Sequence, residues 1–115
     1  MLNQVLLVGR LTKDPEIIET ESGRKVASIV LAVQRPYKNI DGVYDSDFIR
    51  CSLWNIVAEN ACEYCKQGDV VGIRGRLKVD SYVDEDGNTK YVNDVVCETV
   101  SYISSSRKKE DSTDS

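Results

Sequence analysis

The residues of this sequence best suited to chemistry are aromatics and cations that share strand faces. From position 47 the chain reads Asp-Phe-Ile-Arg-Cys-Ser-Leu-Trp. Side chains alternate across a strand. Phe48, Arg50, Ser52 and Trp54 therefore share one face, and Ile49, Cys51 and Leu53 share the other. The second set suits a core. The first offers two large aromatics with a guanidinium between them, spread over about 20 Å at roughly 3.3 Å per residue. A second stretch repeats the pattern: Arg74, Arg76, Lys78, Asp80 and Tyr82 alternate with Ile73, Gly75, Leu77 and Val79. A third, Gln34-Arg35-Pro36-Tyr37-Lys38, brackets an aromatic with cations.

An unpaired polynucleotide needs this combination. Its phosphates call for cations at intervals, and its bases call for flat apolar faces, each stack contributing roughly 1–3 kcal/mol. Stacking does not depend on which base is present. A duplex hides its base faces and could use only the charges. Each stripe alone has a plainer explanation. An aromatic on a strand is commonly core or interface, and cations on a strand commonly guard an edge against aggregation. Three stripes of one chemistry make the stronger case.

Composition removes other classes. There is no histidine, which excludes His-based acid/base work, catalytic triads and His-ligated metals. Cys51, Cys62, Cys65 and Cys97 read as reduced thiols. Cys62-Glu63-Tyr64-Cys65 has redox spacing, but it falls within a helical pattern that continues from Ala58. Zinc would need four ligands, and Cys51 and Cys97 sit on separate strands. No cofactor and no metal are expected, and no enzymatic activity. The longest nearly unbroken apolar run, Val26 to Val33, is far short of the roughly 20 residues of a membrane helix. Met1-Leu2-Asn3-Gln4 has no signal-peptide character. A cytoplasmic protein associated with the nucleoid is expected. The net charge of −4 runs against polyanion binding. Local potential decides contact more than the sum does, so the acids near Glu16, Glu19, Glu21 and Asp84-Glu85-Asp86 would lower affinity without abolishing it.

The elements that must position these residues follow from β-branched and aromatic runs between turn signals. The 115 residues hold one domain. Strands are expected over Gln4–Arg10, Lys25–Arg35, Asp47–Trp54, Asp69–Tyr82 and Lys90–Ile103, with a polar loop over Pro36–Ser46. A hairpin turn at Asp84–Asn88 would use Gly87 at positive φ. A helix over Asn55–Gln67 would end with Gly68 in the left-handed position. An all-β, five-stranded barrel with one helix between strands 3 and 4 is the OB-fold. Residues 104–115 hold no hydrophobe and are expected to form a disordered polar tail. Residues 1–103 form the domain.

At these residues the chain resembles the bacterial-type single-stranded DNA-binding proteins. The likeness runs from Met1-Leu2-Asn3-Gln4-Val5-Leu6-Leu7-Val8-Gly9-Arg10-Leu11-Thr12-Lys13-Asp14-Pro15-Glu16 through Leu31-Ala32-Val33-Gln34-Arg35-Pro36-Tyr37 and Asp47-Phe48-Ile49. It continues with Trp54, Ala58-Glu59-Asn60, Lys66-Gln67-Gly68-Asp69, Gly75-Arg76-Leu77, Ser81-Tyr82 and Asp86-Gly87. The resemblance implies an OB-fold homotetramer that coats single-stranded DNA during replication, recombination or repair. It places base stacking on Tyr37, Phe48, Trp54 and Tyr82. The stripes assign phosphates to Arg35, Lys38, Arg50, Arg74, Arg76 and Lys78. Subunits of the family pair partly through the first strand, which would make a dimer of dimers and explain why Val5 to Val8 are apolar on both faces. Burial within one barrel would explain it as well.

Three features depart from the family. Asn55-Ile56 follows the tryptophan and Asp80 precedes Tyr82, where many relatives are basic. The chain ends Glu-Asp-Ser-Thr-Asp-Ser rather than in an acidic tip closing in Pro-Phe. Either it is cut short, or it is a plasmid, phage or accessory variant, and partners recruited through such a tip are not carried over. The rival reading is a primosome-type OB-fold interaction protein with weak nucleic-acid binding; the four retained aromatic positions argue against it.

Overall fold

A computed structural model describes residues 1–105. The strands are β1 (Val5–Leu11), β2 (Ile17–Glu19), β3 (Lys25–Lys38), β4 (Tyr44–Trp54), β5 (Val70–Val83) and β6 (Thr89–Ser104), with one helix, α1 (Ile56–Tyr64), between β4 and β5. The sheet runs β1-β5-β6-β4-β3-β2, and β1 also pairs with β3 through Arg10–Ala32 and Leu11–Leu31. That pairing closes a five-stranded barrel, the OB-fold, with β2 as an added edge. The expected helix position holds: β2 raises the strand numbers by one.

The interior follows strand alternation. Ala27, Ile29 and Leu31 of β3, Cys51 and Leu53 of β4, Val71 and Ile73 of β5, and Val95 and Cys97 of β6 are buried together. Ala58 and Ala61 of α1 join the same core, as does Cys65 just beyond it. Small side chains let the helix backbone come close to the barrel, and the adjoining turns then fix the strands that lead into and out of it.

Four expectations need correction. First, β2 was not foreseen. Ile17, Ile18 and Glu19 pair with Ala27, Val26 and Lys25, closed by a turn in which Thr20 accepts from Gly23. Its three residues are all exposed, so there is no apolar alternation to read. Second, Pro36–Ser46 is not one loop. β3 runs on to Lys38 and β4 starts at Tyr44. The register shifts between Gln34 and Lys38, and this bulge takes Pro36, whose missing N–H would break a regular ladder. The true turn is held by Asn39 Oδ1, which accepts from the N–H groups of Asp41 and Val43. Third, α1 stops at Tyr64. Gly68 does take positive φ, 92°, but in the turn after the helix. There the Asp69 carboxylate accepts from the Lys66 N–H, and Cys65 is already extended. Fourth, Ser104 lies within β6, not in the tail. Residues 106–115, the rest of that tail, lie outside the described residues.

Past the barrel, two hairpins continue outward as arms. In β5 the pairing with β6 is regular from Gly75–Cys97 to Val83–Thr89, and Leu77 and Val79 become exposed where the barrel no longer covers them. At the tip the Asp84 carboxylate accepts from the N–H groups of Asp86 and Asn88, and Gly87 adopts φ 83° as expected.

Candidate single-stranded nucleic-acid interface

The position of Trp54 follows from the register. β4 pairs antiparallel with β3, Trp54 opposite Val26, and parallel with β6 over Cys51–Leu53. β6 in turn lies beside β5. Alternation turns Trp54 outward, with Val96 of β6 and Arg76 and Lys78 of β5 as its neighbours on the wall. These residues line one groove of about 410 Å³, together with Arg24, Cys97 and Glu98. Trp54 is half-buried. The Arg24 guanidinium lies 4.8 Å from the centre of its ring, a cation–π contact. Arg24 was missed at the sequence level. It stands beside the Ser22-Gly23 turn, and only the fold brings it under the tryptophan.

Phe48 and Arg50 line a second groove of about 340 Å³ with Ile49, Leu77, Asn93, Asp94 and Val95. This is the cleft where the two arms separate. Phe48 is 68% exposed, unusual for a phenylalanine with no partner. Ser52, between Phe48 and Trp54, donates its hydroxyl to Asp94. Arg50 has no ion pair among the described residues.

The remaining candidates are less concentrated. Tyr37 and Tyr82 are exposed, one on each arm. Unbroken pairing keeps Tyr82 on the strand face of Arg76, Lys78 and Asp80. Lys38 Nζ lies 5.8 Å from the Tyr44 ring. Arg35 is held by Asp47 across the β3–β4 pair. Its Nε donates to both carboxylate oxygens at 3.1 and 3.3 Å, and its Nη2 donates at 2.8 Å. That hydrogen bonding holds the Asp47 carboxyl below its ordinary value. Arg74 donates to Thr99 Oγ1 at 3.1 Å and lines a different groove, beside Leu6 and Val8. The fold thus brings together Trp54, Arg76 and Lys78, and separately Phe48 and Arg50. It leaves Tyr37, Arg35 and Lys38 on one arm, Tyr82 on the other, and Arg74 apart.

Against this geometry, the sequence comparisons are decisive. The Single-strand binding protein family matches over residues 2–103. The chain belongs to that family. It is 46% identical over 103 residues to single-stranded DNA-binding protein B of Bacillus subtilis, covering 90% of this chain and 91% of that one. Single-stranded DNA-binding protein 3 of Listeria innocua is 45% identical over 105 residues, with 91% of this chain and 66% of that protein covered. The single-stranded DNA-binding protein of Oceanobacillus iheyensis is 44% identical over 103 residues, with 90% and 64% covered. The chain therefore spans nearly all of the first relative and about two thirds of the other two.

Family members are non-enzymatic DNA-binding proteins, and the cysteines of this chain fit such a role. All four are free thiols, with Cys51, Cys65 and Cys97 buried. Burial pushes Cys51 up to about 12, and Cys65 and Cys97 up to about 11. A redox thiol needs the opposite shift. Among the described residues no group of three His, Cys, Asp or Glu side chains could hold a metal ion, and no helix is long and apolar enough to cross a membrane.

Proposed function

We propose that this protein binds and coats single-stranded DNA with little sequence preference, as a non-enzymatic cytoplasmic component of replication, recombination or repair. Residues 1–104, through the end of β6, act as the DNA-binding domain. Bases stack on Trp54 and Phe48 along the barrel wall, with Tyr37 and Tyr82 extending the path onto the arms. Arg76 and Lys78 beside Trp54, and Arg50 beside Phe48, hold phosphates; Arg35, Lys38 and Arg74 contribute from the flanks. The observation that carries this reading is the groove in which Trp54 meets Arg24, Arg76 and Lys78. A ring beside three cations suits a base and its phosphate together.

The subunits assemble through β1. Leu6 and Val8 are 71% and 59% exposed in the single chain, so burial within one barrel does not account for them. With Leu7, Gly72, Ile73 and Ile103 they form an apolar groove of about 370 Å³. Pairing of this face, and of the resulting dimers, gives a homotetramer around which the strand wraps.

A titration with poly-dT at two salt concentrations, followed by Trp54 emission and paired with a measured mass, tests both statements. Quenching that weakens as salt rises, on a particle of four subunits, is the expected result. Unchanged emission with poly-dT at low salt would defeat the binding mode. A matched poly-U titration separates DNA from RNA preference.

A further inference from the structure

Among its described lining residues the Trp54 groove holds one carboxylate, Glu98. Its placement is built into the backbone. In β6, Thr99 pairs with Arg74 and Cys97 pairs with Gly75, which leaves Glu98 as the extra residue of a β-bulge. Gly75 is required there: a Cβ at that position would lie 2.1 Å from the Val96 carbonyl oxygen. The two backbones come this close only because position 75 has no side chain. Glu98 keeps the outward parity of Val96, the partner of Arg76, and its Oε2 lies 3.5 Å from Arg76 Nη1. Glu98 and Arg76 are each about half exposed, 53% and 52%, so a solvent-borne anion can reach the pair.

We infer that Glu98 is an internal competitor for DNA phosphate: it occupies the anion position beside Arg76 in the free protein, and a bound strand displaces it. The inference rests on the single-stranded DNA reading above. A carboxylate and a phosphate oxygen satisfy a guanidinium in the same way. A strand entering the groove therefore exchanges one anion for another at Arg76. The gain in attraction is smaller than at an unpaired cation, and fewer counterions are released, because the protein supplies one of them. Glu98 thereby lowers affinity and flattens its dependence on salt, while Trp54 stacking is untouched. Of the other carboxylates near these cations, Asp94 stands opposite Lys78 in the ladder, accepts from the Ser52 hydroxyl and does not line the groove, and Asp80 lies 3.7 Å from Lys78. It follows Lys78 along the same strand toward the arm and does not line the groove.

The test compares the full chain with Glu98→Gln and Glu98→Ala, titrated with a short oligothymidine at several salt concentrations by Trp54 emission. Asp86→Asn, at the distant hairpin tip, removes the same charge away from the groove. Both Glu98 variants should bind about two- to fivefold more tightly at low salt, the range of an exposed ion pair. Their salt dependence should steepen by up to about 0.7 in log–log slope, with melting temperature little changed. Asp86→Asn should shift both quantities less than either Glu98 variant does. The inference is overturned if wild type binds and the Glu98 variants match it, or if Asp86→Asn gains as much as they do. Wild type that fails to quench at low salt would overturn the underlying DNA reading first, and this inference with it.

Discussion

The barrel presents two outer faces of opposite chemistry. Around β1, Leu6, Leu7, Val8, Ile73 and Ile103 make an apolar groove with one cation, Arg74, at its rim. Around β4, Trp54 lies with Arg24, Arg76, Lys78 and Glu98. The interior between them is continuous. One strand, β5, supplies both faces: Arg74 goes to the first and Arg76, two residues later, to the second. The boundary falls at Gly75, where the β6 bulge sits. A closed barrel can thus divide its outer wall by bending one strand, with no second domain. An apolar face suits another protein surface, and a face of rings and cations suits a polyanion with exposed bases.

The most severe way to break the comparison is to charge the apolar face alone. Leu6→Asp with Val8→Asp should abolish assembly. Fully burying each such side chain contributes about 1.5–3 kcal/mol, so losing two weakens subunit pairing by at least about 100-fold. Sedimentation or light scattering should report a smaller particle. The Trp54 of that particle should still be quenched by oligothymidine. A particle of unchanged mass would remove β1 as the pairing strand.

Gly75→Ala attacks the boundary. The added Cβ meets a backbone carbonyl that cannot swing aside, and overpacking of this kind costs about 1–3 kcal/mol. A lowered melting temperature is expected, together with weaker oligothymidine binding, because the close β5–β6 pairing that sets Arg76 beside Trp54 is disturbed. A variant as stable as wild type would mean that the bulge is soft and the boundary is set elsewhere.

Trp54→Ala sharpens the comparison from the other side. It should weaken oligothymidine binding by about 1–3 kcal/mol and leave the assembly mass unchanged. Since the intrinsic probe is lost with the ring, binding is followed by anisotropy of a labelled oligonucleotide. A concurrent loss of assembly would show that the two faces are not independent.

These positions differ in how far the sequence discloses them. Alternation alone sorts Ile49, Cys51 and Leu53 from Phe48, Arg50 and Trp54, because β4 is regular and half-covered along that length. It identifies the partition of β5 equally well, yet gives no hint that Leu77 and Val79 lie outside the barrel, since exposure depends on which strands remain to cover them. Arg24 and Glu98 escape notice for a different reason. Arg24 reaches Trp54 only through the pairing of β3 with β4, and Glu98 reaches Arg76 only through the pairing of β5 with β6. Neither leaves a periodic trace. A bulge shifts the phase of β6 from buried Val95 and Cys97 to half-buried Val100, and in sequence that change is indistinguishable from noise. Ile17-Ile18, between Pro15 and Ser22-Gly23, does carry a signal for β2, but three exposed residues are too few to show a face.

The smallest expected effect concerns Arg35, and its direction is the informative part. Arg35 donates three hydrogen bonds to Asp47, whereas Lys78 meets Asp80 at 3.7 Å, a looser contact. Arg35→Ala should therefore reduce oligothymidine affinity and its salt slope less than Lys78→Ala does, the latter by up to about 0.7 in slope. The pH dependence follows from the Asp47 carboxyl, held below its ordinary value chiefly by its hydrogen bonds to Arg35. A group lowered on folding contributes stability that is present above the unfolded value, near 3.9 for aspartate, and lost as pH falls through the lower folded value. Between pH 7 and pH 5 the pair is intact, and Arg35 should add nothing new to binding. A gain in affinity over that interval that disappears in Arg35→Ala would mean that the tether opens far more readily than its geometry implies. Asp47→Asn should release Arg35 at every pH and raise affinity by less than Glu98→Gln does, because Arg35 lies on the arm, away from the tryptophan groove.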